Sequence, residues 1–230
     1  MIMAAGLGTR MRPLTDACPK PMVKVGGKPM LDHVLEKLVA AGIGRAVVNV
    51  HYLARMIETH LARRSSPQII ISDERDALLE TGGGLARAMP LIAADLFFCL
   101  NSDSLWTDGA TDVFRQLSAA WDDAVMDALL LLVPLARARN HDGPGDFELG
   151  ANGQLQRRTA QTASHVFTGI QLVSKRLLRD LPPQDSFSTN ILWQRALGEG
   201  RLFGTVHDGD WVEVGRPEHI RVAEEILALE

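Results

Sequence analysis

Residues 1–21 read MIMAAGLGTRMRPLTDACPKP, and this stretch decides the fold. A short apolar segment, Met1–Ala5, reads as a strand that runs straight into Gly6-Leu7-Gly8-Thr9-Arg10. Glycine admits positive φ and lets main-chain amides approach a ligand closely. Arg10, Arg12 and Lys20 place three cations around the same turn. Backbone donors, guanidinium forks and a lysine ammonium together suit a polyphosphate. Two other phosphate loops do not fit. A dinucleotide fingerprint needs a third glycine where Met11 stands, and Pro13 falls where its helix should begin. A P-loop needs Gly-Lys-Ser/Thr, a tripeptide absent from the chain.

Outward from that turn, strand-like and helix-like segments alternate. Pro29–Ala41 has helical spacing closed by Gly42, Ala46–Val50 is a second strand, Ala54–Arg63 a helix and Gln68–Ser72 a third strand. Gly84–Met89 opens another helix and Leu96–Leu100 is a wholly apolar strand. Apolar strands separated by helices indicate a parallel sheet covered on both faces. Such sheets bind ligands at the carboxyl ends of their strands, where Gly6–Arg12 and Asn101–Ser104 both fall.

The second half is less regular. Asp127–Leu132 and His165–Val173 read as strands, and Gly145–Leu149 with Leu155–Arg158 as a hairpin turning at Asn152-Gly153. Thr189–Leu197 and Glu218–Leu229 read as helices, and Pro182-Pro183-Gln184-Asp185 as a loop. The expected architecture is α/β, a single-domain Rossmann-like fold over residues 1–230. It has a mostly parallel central sheet flanked by helices and a small β-rich subregion.

At 230 residues one well-buried core is the default. The net charge of −4 gives no global basic field for nucleic acid, so an anionic ligand must be drawn by local cations. Cys18 and Cys99 lack metal-ligand spacing, consistent with a reduced, cytoplasmic setting. No apolar run reaches the roughly 18 residues of a membrane span, and Met1–Ala5 lacks the pattern of a secretory signal. The very short first strand suggests that residues precede Met1. The histidines show no zinc-ligand spacing, and Ser102, Ser104 and Ser186 have no nucleophile-elbow context. Oligomeric state is not legible.

Gly-x-Gly-Thr-Arg-x-x-Pro-x-Thr followed by Pro19-Lys20-Pro21 resembles the signature of the sugar-1-phosphate nucleotidylyltransferases. Leu79-Glu80-Thr81-Gly82-Gly83-Gly84 is similar to the N-acetylmuramate α-1-phosphate uridylyltransferases among them. The resemblance implies that residues 1–110 bind the nucleotide and 111–230 the sugar phosphate. It implies that Ala5, Gly6, Gly8, Thr9 and Arg10 cradle a triphosphate, with Arg12 on the β- and γ-phosphates and Lys20 at the reacting centre. Glu80, Thr81 and Gly83 would meet the base, and Asn101 the base or ribose. Asp103 matches the first metal ligand; hard oxygen donors there suit Mg²⁺. Glu213, in Trp211-Val212-Glu213-Val214-Gly215, stands where the family carries a second aspartate, one methylene shorter, and Arg216 where it carries threonine. Gly145, Asp146 and Thr168 match elements that hold the sugar.

These assignments imply a Mg²⁺-dependent reaction of a sugar 1-phosphate, foremost N-acetylmuramic acid α-1-phosphate, with UTP, as in cell-wall sugar recycling, with neither nucleic acid nor membrane as partner. Arg139, His141, Arg157 and Arg216 are candidates for the lactyl carboxylate of that sugar. Three alternatives stay open: a hexose-1-phosphate guanylyl- or thymidylyltransferase, a glycosyltransferase (which would want a fuller Asp-x-Asp than Asn101-Ser102-Asp103), and a non-catalytic nucleotide-sugar sensor.

Overall fold

The computed structural model describes residues 1–181 and 186–228, so the loop expected at 182–185 and the expected helix end at Leu229 lie outside the described residues. The first strand, β1 (Ile2–Met3), is followed by the glycine turn and a small antiparallel pair, β2 (Lys24–Val25) and β3 (Lys28–Pro29). Then α1 (Met30–Ala40), β4 (Arg45–Val50), α2 (Ala54–Leu61), β5 (Gln68–Asp73), α3 (Glu80–Ala88) and β6 (Leu96–Asn101) alternate as their periodicities require. β7 (Ser104–Trp106), α4 (Val113–Ala120), β8 (Ala128–Pro134), β9 (Phe147–Leu149), β10 (Leu155–Arg157) and β11 (His165–Ser174) come next. The described chain closes with α5 (Thr189–Gly198), β12 (Leu202–Val206), β13 (Trp211–Glu213) and α6 (His219–Leu227).

One sheet runs in the order β10-β9-β11-β6-β1-β4-β5, with β8 beside β11 and β12 beside β8. β1 lies parallel between β4 and β6, and β4 and β5 are parallel, which is the Rossmann-like nucleus anticipated from the sequence. β11 joins the halves, antiparallel to both β6 and β8. Alternate side chains of each strand serve opposite faces. Val48 of β4 packs with Leu31 and Leu35 of α1, Ile57 of α2 and Phe114 of α4. Its neighbour Val47 points to the other face, with Leu85 of α3 and Trp193 of α5. Leu35 is wholly buried, and truncating such a side chain to alanine costs about 2–5 kcal/mol. No helix among the described residues is long and apolar enough to cross a membrane.

Six of the labelled elements were not anticipated: β2, β3, β7, α4, β12 and β13. A further difference concerns α3, which begins at Glu80 and not at Gly84. Its first amides, on Gly82 and Gly83, donate to the Phe187 carbonyl at 2.8 and 3.0 Å, and Phe187 N donates to Leu79 O at 3.1 Å. That partner lies more than a hundred residues away. It satisfies the donors that every helix start leaves open, so tertiary contact overrides the poor helix propensity of three glycines. The hairpin turns at Asn152-Gly153 as expected, with Leu155 opposite Leu149 and Arg157 opposite Phe147.

Candidate active site

The glycine turn leaves the carboxyl end of β1 and closes on itself. Gly8 has φ +63°, and its carbonyl accepts from Met11 N at 2.9 Å and from the Thr15 hydroxyl at 2.7 Å. A Cβ at Gly8 would stand 2.9 Å from Lys20 Cβ and 3.0 Å from Thr15 Cγ2. Glycine is therefore required both by the left-handed backbone and by the approach of Lys20. Upstream, Ala4 N donates to Asn49 Oδ1 at 2.6 Å, and Asn49 Nδ2 donates to Glu74 Oε1 at 2.9 Å. Desolvation in this buried position holds the Glu74 carboxyl above its ordinary range.

Asp103 leaves the end of β6, the strand paired with β1. Its carboxylate forms an ion pair with the Lys20 ammonium. Both side chains are largely shielded, with 12% and 20% of their surfaces exposed. β7 and β13 bring the second carboxylate to the same place: Glu213 stands opposite Ser104, and Val214 N donates to Asp103 O at 3.2 Å. Glu213 Oε1 in turn accepts from Arg10 Nη2 at 3.2 Å, a more open pair at 63% and 27% exposure. Gly215 leaves room for it, since a Cβ there would lie 3.1 Å from Glu213 Oε1 and 3.3 Å from Arg10 Nη1.

A cavity of about 310 Å³ opens at this sheet edge. Its wall includes Ala5, Gly6, Gly8, Thr9 and Arg10 from the turn, then Lys20, then Asn101 at the end of β6 and Asp103 just beyond it, and Glu80 with Thr81 at the start of α3. Arg12 is outside that wall, exposed and paired with Asp16 at 3.3 Å. Gly83 is also outside it, its amide committed to Phe187. Thr81 Oγ1 accepts from Thr189 N at 2.9 Å, so α5 is tied to the cavity rim.

The residues expected on the sugar side stand further off. Thr168 is wholly buried; its hydroxyl donates to Leu131 O at 2.9 Å and accepts from Ile170 N at 3.3 Å. The Asp146 carboxylate accepts from Phe167 N at 2.9 Å. A Cβ on Gly145 would meet Ala163 O at 2.5 Å. Among the lactyl-carboxylate candidates, Arg157 lies over the Phe147 ring at 4.7 Å and donates to Asn190 Oδ1 at 2.7 Å, while Arg216 faces Asp142 at 3.9 Å. The cavity wall also holds Asn49, Glu74, Leu78 and Gly215, which sequence reasoning did not select. Asn49 was discoverable, being the one polar residue in the expected strand Ala46–Val50.

Among the described residues no cluster of three or more histidine, cysteine or acidic side chains is placed to hold a metal ion. Asp103 and Glu213 are a two-carboxylate set, each already facing a cation. That donor chemistry fits a hard divalent ion that takes its remaining ligands from water and phosphate oxygens.

The chain is 41% identical over 99% of its length, and 96% of the relative, to the N-acetylmuramate α-1-phosphate uridylyltransferase of Caulobacter vibrioides. It is 31% identical to the enzyme of that name from Neisseria meningitidis, covering 94% of this chain and 92% of the relative. A mannose-1-phosphate guanylyltransferase catalytic subunit β of Xenopus tropicalis is 28% identical over 95% of this chain, which spans 61% of that protein. Among solved structures, UDP-glucose pyrophosphorylase complexed with UDP-glucose superposes with a TM-score of 0.80 at 15% identity, covering 99% of this chain and 97% of that one. HddC from Yersinia pseudotuberculosis complexed with GMP-PN superposes at 0.76 and 24% identity, with 97% and 96% coverage. At those identities the two superpositions speak for the fold alone. A nucleotidyl transferase family model matches residues 1–141, the glycine turn, Lys20 and Asp103 included. With that match and two relatives above 30% identity along nearly the whole chain, this protein belongs to the nucleotidyl transferase family, as an enzyme of the sugar-1-phosphate class.

Proposed function

We propose that this enzyme condenses N-acetylmuramic acid α-1-phosphate with UTP, giving the UDP-sugar and pyrophosphate. The observation that carries the reading is the convergence of the glycine turn, Lys20 and Asp103 on one cavity at the carboxyl edge of β1 and β6. The choice of sugar and base is supported by the two full-length uridylyltransferase relatives.

In the reaction an oxygen of the sugar phosphate forms a bond to the α-phosphorus of UTP. The bond from that phosphorus to the bridging oxygen breaks, and pyrophosphate leaves with the electron pair. The nucleophile is already anionic near neutral pH, so no general base is needed. The barrier lies in bringing polyanions together and stabilising charge on the α-phosphoryl oxygens, so positioning and preorganised donors dominate. The amides of the Gly6–Arg10 turn and the Arg10 guanidinium hold the triphosphate. Lys20, shielded and adjacent to Asp103, neutralises phosphate oxygens at the reacting centre, and one such preorganised donor is worth roughly 3–4 kcal/mol. Arg12 is exposed enough to swing from Asp16 to the departing pyrophosphate. Glu80, Thr81 and Asn101 face the nucleoside, while Gly83, its amide held by Phe187 O, shapes the start of α3 and does not itself touch the ligand. Asp103 and Glu213 would hold Mg²⁺, which when bound supplies positive charge to phosphate oxygens.

We assign residues 1–110 to the nucleotide and 111–230, with Gly145 and Asp146, to the sugar phosphate, in one domain working in the cytoplasm; Thr168, buried and bonded to Leu131 O, braces β11 and does not touch the sugar. Pyrophosphate release is measured with UTP, GTP, CTP and dTTP, each against N-acetylmuramate, mannose and glucose 1-phosphates. Turnover is expected with UTP and the muramate. Turnover confined to GTP with mannose 1-phosphate, the pair named by the third relative, would overturn the choice.

A further inference from the structure

Two cations of the phosphate-binding turn are not free to meet phosphate as the chain stands. Lys20 is paired with Asp103, and Arg10 with Glu213. The two acceptors are the carboxylates assigned to the divalent ion. The deeper pair is the more consequential: Lys20 and Asp103 are 12% and 20% exposed, so water screens them little. A carboxylate oxygen engaged by an ammonium is a poor ligand for a dication, because the incoming charge meets the ammonium's repulsion as well as the carboxylate's attraction. A polyphosphate changes this balance by offering the lysine another anion.

We propose that Lys20 is a positioning residue for the metal site. It occupies Asp103 until the nucleotide's phosphates draw it away, and only then does Asp103 take the divalent ion. Nucleotide and metal therefore bind with positive coupling, and each raises the affinity of the chain for the other by the same factor. Arg10 does the same for Glu213 but more weakly, since its guanidinium is 63% exposed and water screens that pair. The geometry supports a real exchange and not a fixed brace. Lys20 sits in a short helical turn, Lys20–Met22, and among the described residues its ammonium pairs with Asp103 alone. Gly8 leaves just enough room for its stem. The inference rests on the metal assignment made under the proposed function, but it concerns the order of binding and not the identity of sugar or base.

The test is Mn²⁺ binding to the purified full chain without nucleotide, read from the free-ion signal in electron paramagnetic resonance. Lys20→Gln and Lys20→Met are each expected to bind Mn²⁺ at least about tenfold tighter than the parent, because an adjacent positive charge has gone. Lys20→Arg, which keeps that charge, is expected to bind as weakly as the parent. Arg10→Gln should give a smaller gain than Lys20→Gln, and Asp103→Asn should abolish the gain in the Lys20→Gln background. Parent-like or weaker Mn²⁺ binding by both neutral Lys20 variants would overturn the exchange, as would equally tight binding by Lys20→Arg. Pyrophosphate release by the parent is assayed separately. Its failure with every substrate pair, with the Mn²⁺ gain intact, would retire the proposed reaction and leave the exchange standing.

Discussion

Replacing Gly82 by alanine tests whether α3 is held at its start by Phe187. An added Cβ would lie 2.5 Å from Phe187 Cδ2 and Cε2 and 2.8 Å from Phe187 O. The ring is 3% exposed and packed in the core with Leu85 and Trp193, so it has little room to retreat. Overpacking of this kind costs about 1–3 kcal/mol. If α3 moves away instead, the Gly82 and Gly83 bonds to the Phe187 carbonyl weaken, at about 0.5–1.5 kcal/mol each. Alanine's better helix propensity returns at most about 1 kcal/mol. Either route costs about 2 kcal/mol at mid-range, so the net expectation is a loss of roughly 1–2 kcal/mol, seen as a lower urea midpoint at unchanged slope. For a chain of this size that is roughly 2–8 °C in melting temperature. Nucleotide KM should rise in step, because Glu80 and Thr81 line the cavity from the same turn. Gly198→Ala, where an added Cβ meets nothing within 4 Å, is the control and should be neutral or stabilising. A Gly82→Ala protein within about 0.5 kcal/mol of the parent would refute the claim that this contact sets the helix start.

Gly6→Ala separates ligand space from stability. An added Cβ meets no protein atom within 4 Å, yet the residue lines the cavity, so chemical denaturation should shift by less than about 0.5 kcal/mol while UTP binding by calorimetry weakens about tenfold. Glu74→Gln should stabilise, and increasingly so as pH rises. With its folded value held above 4.5, native Glu74 keeps its proton while the unfolded chain loses it, so the parent loses stability upward from pH 4.5 and the glutamine variant does not; parallel urea titrations at pH 5 and 8 that show no widening gap would contradict this. His207 runs the other way. Burial lowers its imidazole below 6.5 and its Nε2 contacts Thr107 O at 3.0 Å, so the unfolded chain protonates first as pH falls and stability drops below pH 6.5; His207→Gln should flatten that drop in thermal melts between pH 7 and 5.

The parts of the fold legible in the sequence are those fixed by short-range physics. Gly8 needs its left-handed turn and Lys20 follows at a set distance, so the loop could be read from residue types and spacing alone. The helices α1 and α2 show apolar residues at three- and four-residue intervals, and the structure buries those same faces. The α4 signal was present too. Val113, Phe114 and Leu117 share a face, and Asp112 caps the start by accepting from Arg115 N at 3.0 Å. The start of α3 was not legible because its donors are satisfied by Phe187, remote in sequence. β7 and β13 have three residues each, too few to show an alternation. Glu213 could be matched by motif, but its contact with Arg10 depends on that pairing. Thr168 looked like a sugar contact by its motif, whereas the fold buries it and commits its hydroxyl to Leu131. A hydroxyl's partner is set by the strand beside it, and β8 arrives from a different part of the chain.

The charges at the cavity give these contacts one consequence. Arg10 and Lys20 stand against Asp103 and Glu213, two positive against two negative, with the Glu80 carboxylate further along the wall, in a chain whose net charge is −4. A site balanced in this way offers little electrostatic gain to a bare triphosphate, since each cation must leave a carboxylate to reach it. It offers little to a bare dication for the mirror reason. On the proposed function, the two ligands brought together would satisfy these four charges and each other, the arrangement in which positive charge would surround the α-phosphoryl oxygens. Balance in the protein would thus make assembly of the charged centre conditional on both ligands. A nucleotide without its metal would meet cations still divided between phosphate and carboxylate, which predicts that productive attack is confined to the complete complex.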